Sequence, residues 1–141
     1  MRYVAKVRFL LLVVPLLFSG ACDNGDSPTL PTPPNPVTDT FTGTVSLNGS
    51  VVHPFIATAA GSVTATITGV DPSSSPSFGF GMGTWDGSVC TVTMLNNLAT
   101  TSAALTGTVV APSSLCVRLF DSQGIVPTDA PINYTVQVVH P

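Results

Sequence analysis

An all-β fold is what this 141-residue chain predicts: two antiparallel sheets packed as a β-sandwich of about eight strands, in a jelly-roll-like order. Three observations carry that prediction. From Thr38 onward apolar and polar residues alternate with a period of two, and no stretch repeats at the helical 3.6. Clusters of Gly, Pro, Asn, Asp and Ser interrupt the alternation at near-regular intervals. Threonine and valine are abundant, and their branching at Cβ suits a pleated surface.

The first strand is read from Thr40 to Leu47, with Phe41, Gly43, Val45 and Leu47 on one face. Asn48-Gly49 follows as a hairpin-turn signal, because both residues tolerate positive φ. Val51 to Ala57 comes next, with Phe55 and Ala57 on its apolar side. After Gly61, Val63, Ala65 and Ile67 alternate with Ser62, Thr64, Thr66 and Thr68 up to Val70. Asp71 to Pro76 reads as a loop. Phe78, Phe80 and Met82 then alternate with Gly79, Gly81 and Gly83, and Trp85-Asp86-Gly87 turns the chain into a strand from Val89 to Leu95. Asn96-Asn97 marks another turn. A weaker strand covers roughly Ser102 to Val110. Leu115 to Phe120, a loop from Asp121 to Pro131, and Ile132 to Val139 complete the series. Each strand has one apolar face, so two sheets must cover one another.

The amino terminus is a different kind of segment. Arg2, Lys6 and Arg8 precede a ten-residue apolar run, Phe9 to Phe18, then small residues Ser19, Gly20 and Ala21, then Cys22. That is the layout of an export signal over 1–21. The run is too short to cross a bilayer, which takes about 20 apolar residues, and Pro15 interrupts it. The stretch Phe18-Ser19-Gly20-Ala21-Cys22 resembles the bacterial lipobox, with Ser19 where leucine is usual. The resemblance implies that Cys22 is lipidated with acyl chains such as palmitate and becomes the mature amino terminus. The partner is then a membrane, through the lipid anchor, since two or more chains hold firmly where one is marginal. The expected location is the cell envelope, lipid-anchored and facing the periplasm or the exterior. A plain secretory signal with an unmodified Cys22 is the alternative.

Residues 22–37 form the tether. Prolines at 28, 31, 33, 34 and 36 remove amide donors and fix φ, which bars a helix or a central strand. As a polyproline spacer it reaches about 45 Å; a disordered leader has the same composition. The β-sandwich domain follows over 38–141.

Charge excludes one class of partner. Charged residues make up only 8% of the chain. Removing 1–21 leaves Arg118 alone against seven aspartates, a net charge of −6. Binding to a phosphate backbone rests on Lys and Arg, so nucleic acid is not expected.

With Cys22 lipidated, Cys90 and Cys116 remain as an even pair in an oxidising compartment, and a disulfide is expected. Free thiols or a metal pair are the rivals, but zinc needs closer spacing and further ligands. No metal site and no cofactor is expected. Asp71, Asp86, Asp121 and Asp129 fall in loops without the spacing that calcium loops use. His53 and His140 read as exposed strand-end histidines, and there is no GxSxG elbow, so no catalytic residue is assigned and the chain is expected not to be an enzyme. Gly79 to Gly83 lacks a following helix to present amides to a phosphate; alternate glycines instead leave one strand face bare for another backbone, a Trp or a ligand. Trp85 and Asp86 are the candidate ligand contacts, Trp85 either as a stacking platform or as core.

The order of segments resembles the bacterial pre-peptidase C-terminal domain. Thr40-Phe41-Thr42-Gly43-Thr44-Val45, Val52 to Ala57, Ala60 to Ile67, Cys116 to Asp121 and Tyr134 to Val138 carry the likeness. It implies a jelly-roll-like accessory domain used in adhesion, substrate binding or secretion. The aspartate-leucine pair common in the family's middle strand is absent at Ser77-Phe78-Gly79-Phe80-Gly81. The expected function is non-enzymatic binding or adhesion to an envelope protein or glycan; the alternative is a structural subunit of a surface assembly.

Overall fold

The computed structural model describes residues 32, 34–73 and 75–141. The expected export signal, the expected lipidation site Cys22 and most of the expected tether lie outside these residues. Eight strands form: β1 (Val37–Val45), β2 (Ser50–Ala57), β3 (Gly61–Asp71), β4 (Phe78–Trp85), β5 (Cys90–Ala99), β6 (Ala104–Val109), β7 (Ser113–Phe120) and β8 (Ile132–His140). They make two four-stranded antiparallel sheets, β1-β8-β3-β6 and β2-β7-β4-β5.

The pairing has a simple rule. β1 pairs with β8, β2 with β7, β3 with β6 and β4 with β5. One long antiparallel ribbon, turned at β4–β5, has been rolled so that successive strand pairs fall in opposite sheets. The β3–β8 and β4–β7 ladders then close each sheet. This is the jelly roll.

Period-two patterning decides which side chains meet. Ile132, Tyr134, Val136 and Val138 of β8 face inward, as do Val63, Ala65 and Ile67 of β3, while Ser62, Thr64 and Thr66 face out. A bulge between Ile67 and Gly69 shifts the phase and returns Val70 to the core side. Phe78, Phe80 and Met82 supply the bulk from the opposite sheet.

Two turn readings need correction. Asn48 does adopt φ 54°, and the Gly49 amide donates to the Ser46 carbonyl at 2.8 Å. Yet β1 and β2 belong to different sheets, so the turn is an arch and not a hairpin. Asn-Gly encodes a chain reversal and is silent on whether the next strand pairs or crosses. Asn96-Asn97 lies within β5, where the ladder is irregular and the Asn96 side chain accepts the Leu98 amide at 2.9 Å. The reversal comes at Thr100–Ala103, with Ser102 at φ 72°. It is held because the Ser102 amide reaches the Ile67 carbonyl at 2.8 Å, beside the β3 bulge.

β4 is buried on both faces from Phe78 to Gly83. Its bare outer face is covered by the Phe120 ring over Gly79, by Val92 over Gly81, and by the β5 backbone over Gly83. A Cβ on Gly83 would collide with the Thr91 carbonyl. That close approach lets the Cys90–Cys116 disulfide, with Cα atoms 5.9 Å apart, join β5 to β7 across β4. The expected disulfide is present.

Candidate binding site

Trp85 is the last residue of β4 and pairs with Cys90, so the disulfide lies beside it on the outer face of its sheet. It is half-buried, neither core nor free. Next to it Pro54 and Ile56 of β2 project outward, Ile56 with 61% of its surface exposed. Ser114 of β7 stands opposite Ile56. Together with Gly87 these residues line an open groove of 490 Å³. Gly87 sits at φ 103° with no heavy atom within 4 Å of where a Cβ would be, which keeps the mouth of the groove clear.

Asp86 also borders the groove, but its first role is local. One carboxylate oxygen, Oδ1, accepts the Val89 amide at 2.7 Å, the Ser88 amide at 2.8 Å and the Ser88 hydroxyl at 3.1 Å. The Val89 amide, then those Ser88 bonds, hold its carboxyl below the usual range, so it stays ionised. The turn that aims Trp85 is thus tied by Asp86. The structure brings the two predicted contacts together, with Trp85 facing the groove and Asp86 shaping its rim.

Both histidines are engaged in holding the fold. His53 is not an exposed strand-end residue. It stacks on Phe41 with ring centroids 4.9 Å apart, and its Nε2 lies 2.8 Å from the Tyr134 hydroxyl. Burial lowers the His53 pKa and pushes Tyr134 up to about 12, so both are neutral at pH 7 and share one hydrogen bond whose donor is set by the His53 tautomer. His140 is buried as well, with Nε2 3.1 Å from Asp39 Oδ2 and its ring against Phe55. Both histidines face inward because β2 and β8 continue their alternation to the ends of the strands. That phase was readable in the sequence.

Asp121 was read only as a loop aspartate, and its structural role was missed. Its carboxylate accepts backbone amides from Asn48, Gln123, Gly124, Ile125 and Val126 at 2.9–3.3 Å. Burial pulls its pKa upward, but the amides of Asn48, Ile125, Val126 and Gln123 outweigh it and the net shift is downward. An Asp followed three residues later by Gly is the only local hint. A carboxylate so filled with donors is a poor cation ligand, and among the described residues no group of three His, Cys, Asp or Glu side chains is placed to hold a metal.

No protein-family profile matches this chain, and no curated protein matches it in sequence. Among solved structures it is similar to PliG of Aeromonas hydrophila, a periplasmic lysozyme inhibitor of g-type lysozyme, at 11% identity and a TM-score of 0.49 over 73% of this chain and 86% of that one.

Proposed function

We propose that this protein is a non-enzymatic binding module of the bacterial cell envelope, anchored by lipid at Cys22, that presents the Trp85 groove to a glycan. One observation carries the reading. The groove is the place where an aromatic face, an apolar floor and uncommitted space meet, with a hydroxyl and a carboxylate at the rim. An indole face stacked on the C–H side of a sugar ring, with sugar hydroxyls donating to the free Asp86 oxygen and exchanging hydrogen bonds with the Ser114 hydroxyl, is the recognition such a site supports. By contrast, the buried acid–base groups His53 and Tyr134 are spent on each other, and His140 on Asp39. That supports binding over catalysis.

A glycan array comparing the parent chain with Trp85→Ala tests the site. Signal lost in the variant supports the stacking role, and equal signal from both rejects it. Mass spectrometry of the mature amino terminus tests the anchor separately: a diacylglyceryl adduct on Cys22 is expected, and an unmodified Cys22 removes the anchor while leaving the groove intact.

A further inference from the structure

The two flanks of the sandwich, where the sheets' edge strands face each other, are unlike. On the β1–β2 flank the seam is filled by Phe41, His53 and Tyr134 and by the His140–Asp39 contact. Pro54 withholds an amide from the β2 edge, and Asp39 puts a charge on β1. These are the usual blocks to edge pairing. The β5–β6 flank has none of them. Neither strand carries a proline or a charge, and no ionisable residue except Cys occurs from Gly87 to Val117. Both strands are free edges.

That flank is also open. Between β5 and β6 an apolar cleft of 280 Å³ reaches in to Met82, Met94 and Leu115. Gly107, lacking a side chain, leaves the ends of the Met94 and Met82 side chains across the gap. At the rim Val110 stands 94% exposed, and along β5 Leu95 and Leu98 are 53% and 66% exposed. Leu95 pairs with Gly81 and so stands on the outer face of β5, around the edge from the cleft, and apolar exposure gathered about one sheet edge marks an interaction surface where isolated exposed leucines would not.

We infer that the β5–β6 flank is a self-association face and that its partner is a second copy of this chain. Charge favours that partner. Every copy is acidic, with Arg118 the one cation after residue 21, so two copies meet without opposing carboxylates only where carboxylates are missing. The nearest ones, Asp86 at the head of β5 and Asp121 beside the Ser122–Asn97 bond, are turned into their own backbone amides. Shape favours it too. A projecting valine and an apolar cleft on one patch are self-complementary, as a two-fold interface requires. The flank is long enough: ten residues of β5 span about 33 Å, and two sheets about 10 Å apart with their side chains give a face of roughly 650 Å², near the ~800 Å² per partner of a stable interface. Two methionines at the floor adapt to an inserted side chain.

The face is independent of the Trp85 groove, and so is its test. The full chain is expressed in bacterial cells with the photo-cross-linking residue p-benzoyl-phenylalanine at Leu98, at Val110 or, as the opposite-flank control, at Thr40. Illumination is expected to yield a species of twice the chain mass, containing only this chain by mass spectrometry, from positions 98 and 110 and not from 40. Leu95→Lys, a change at an exposed side chain, should cut the position-110 yield about tenfold by placing an unpaired charge in the contact, while Trp85→Ala leaves it unchanged. Far-UV circular dichroism of the Lys variant confirms that it folds. No homodimer from positions 98 and 110, equal yield from position 40, or cross-links only to a different protein would each overturn the inference.

Discussion

Reducing the Cys90–Cys116 disulfide offers the sharpest energetic test of how this jelly roll is held. The bond closes a segment with a sequence separation of 26. Chain entropy for a loop of that length falls by about 12 cal/mol/K, or about 3.5 kcal/mol at 25 °C. For a domain of roughly 100 residues this corresponds to a fall in Tm of about 15 °C. The structure adds where the loss should appear. β5 is an edge strand that crosses the outer face of β4 at Gly83, and the disulfide straps its first residue to β7. Amides of β5 should therefore lose hydrogen-exchange protection first, while β3 and β8, central in the other sheet, keep theirs. Thermal melts by circular dichroism, with and without reductant, read the first quantity and exchange mass spectrometry the second. A reduced protein that unfolds within about 1 kcal/mol of the oxidised one, or that loses β8 protection before β5, would refute this account of the strap.

Two further outcomes follow from the polar groups inside and beside the core. Because His53 has a lowered pKa in the fold, the unfolded chain binds more protons below pH 6.5, and urea unfolding should show stability falling as pH drops through that value; Tyr134, raised from 10.0 to about 12, should cost about 1–2 kcal/mol as pH rises across that window, and flat profiles in both would contradict the burial of this pair in its neutral form. Asp121→Asn removes an ionised acceptor from a cluster of backbone amides and is expected to lose roughly 1–2 kcal/mol, with exchange protection falling over Gln123 to Val126; in the parent protein that stability should fade as pH drops through the ordinary carboxylate value of 3.8, and an unchanged loop would sink the idea.

The strand pattern was legible because burial of one face writes itself into every second residue, and all eight strands appear close to where alternation placed them. The cysteine pair was legible for a chemical reason: with Cys22 read as a lipidation site, an even pair remained. Pairing across sheets was not. Asn48-Gly49 looks the same whether the chain folds back on itself or arches over the core, and only closure of β1 onto β8, some ninety residues away, decides it. Asn96-Asn97 misled because β5 absorbs both residues in an irregular ladder, and the true reversal depends on a contact with Ile67 that no local window contains. The amide-binding role of Asp121 was hidden for a similar reason: one of its five amides, that of Asn48, is distant in sequence. The glycines of β4 were read correctly as a bare face, but Phe120, Val92 and the β5 backbone fill it, and Trp85 does not. That leaves Trp85 free for the groove.

Trp85 is the sole tryptophan of the chain, so its fluorescence reports the groove with no competing signal. Titrating the protein with soluble fragments of bacterial envelope glycans should shift and saturate that emission, with Trp85→Phe retaining weakened binding and Trp85→Ala losing it. Saturable glycan binding by calorimetry that leaves Trp85 emission unmoved and survives Trp85→Ala would place the site elsewhere and contradict the account.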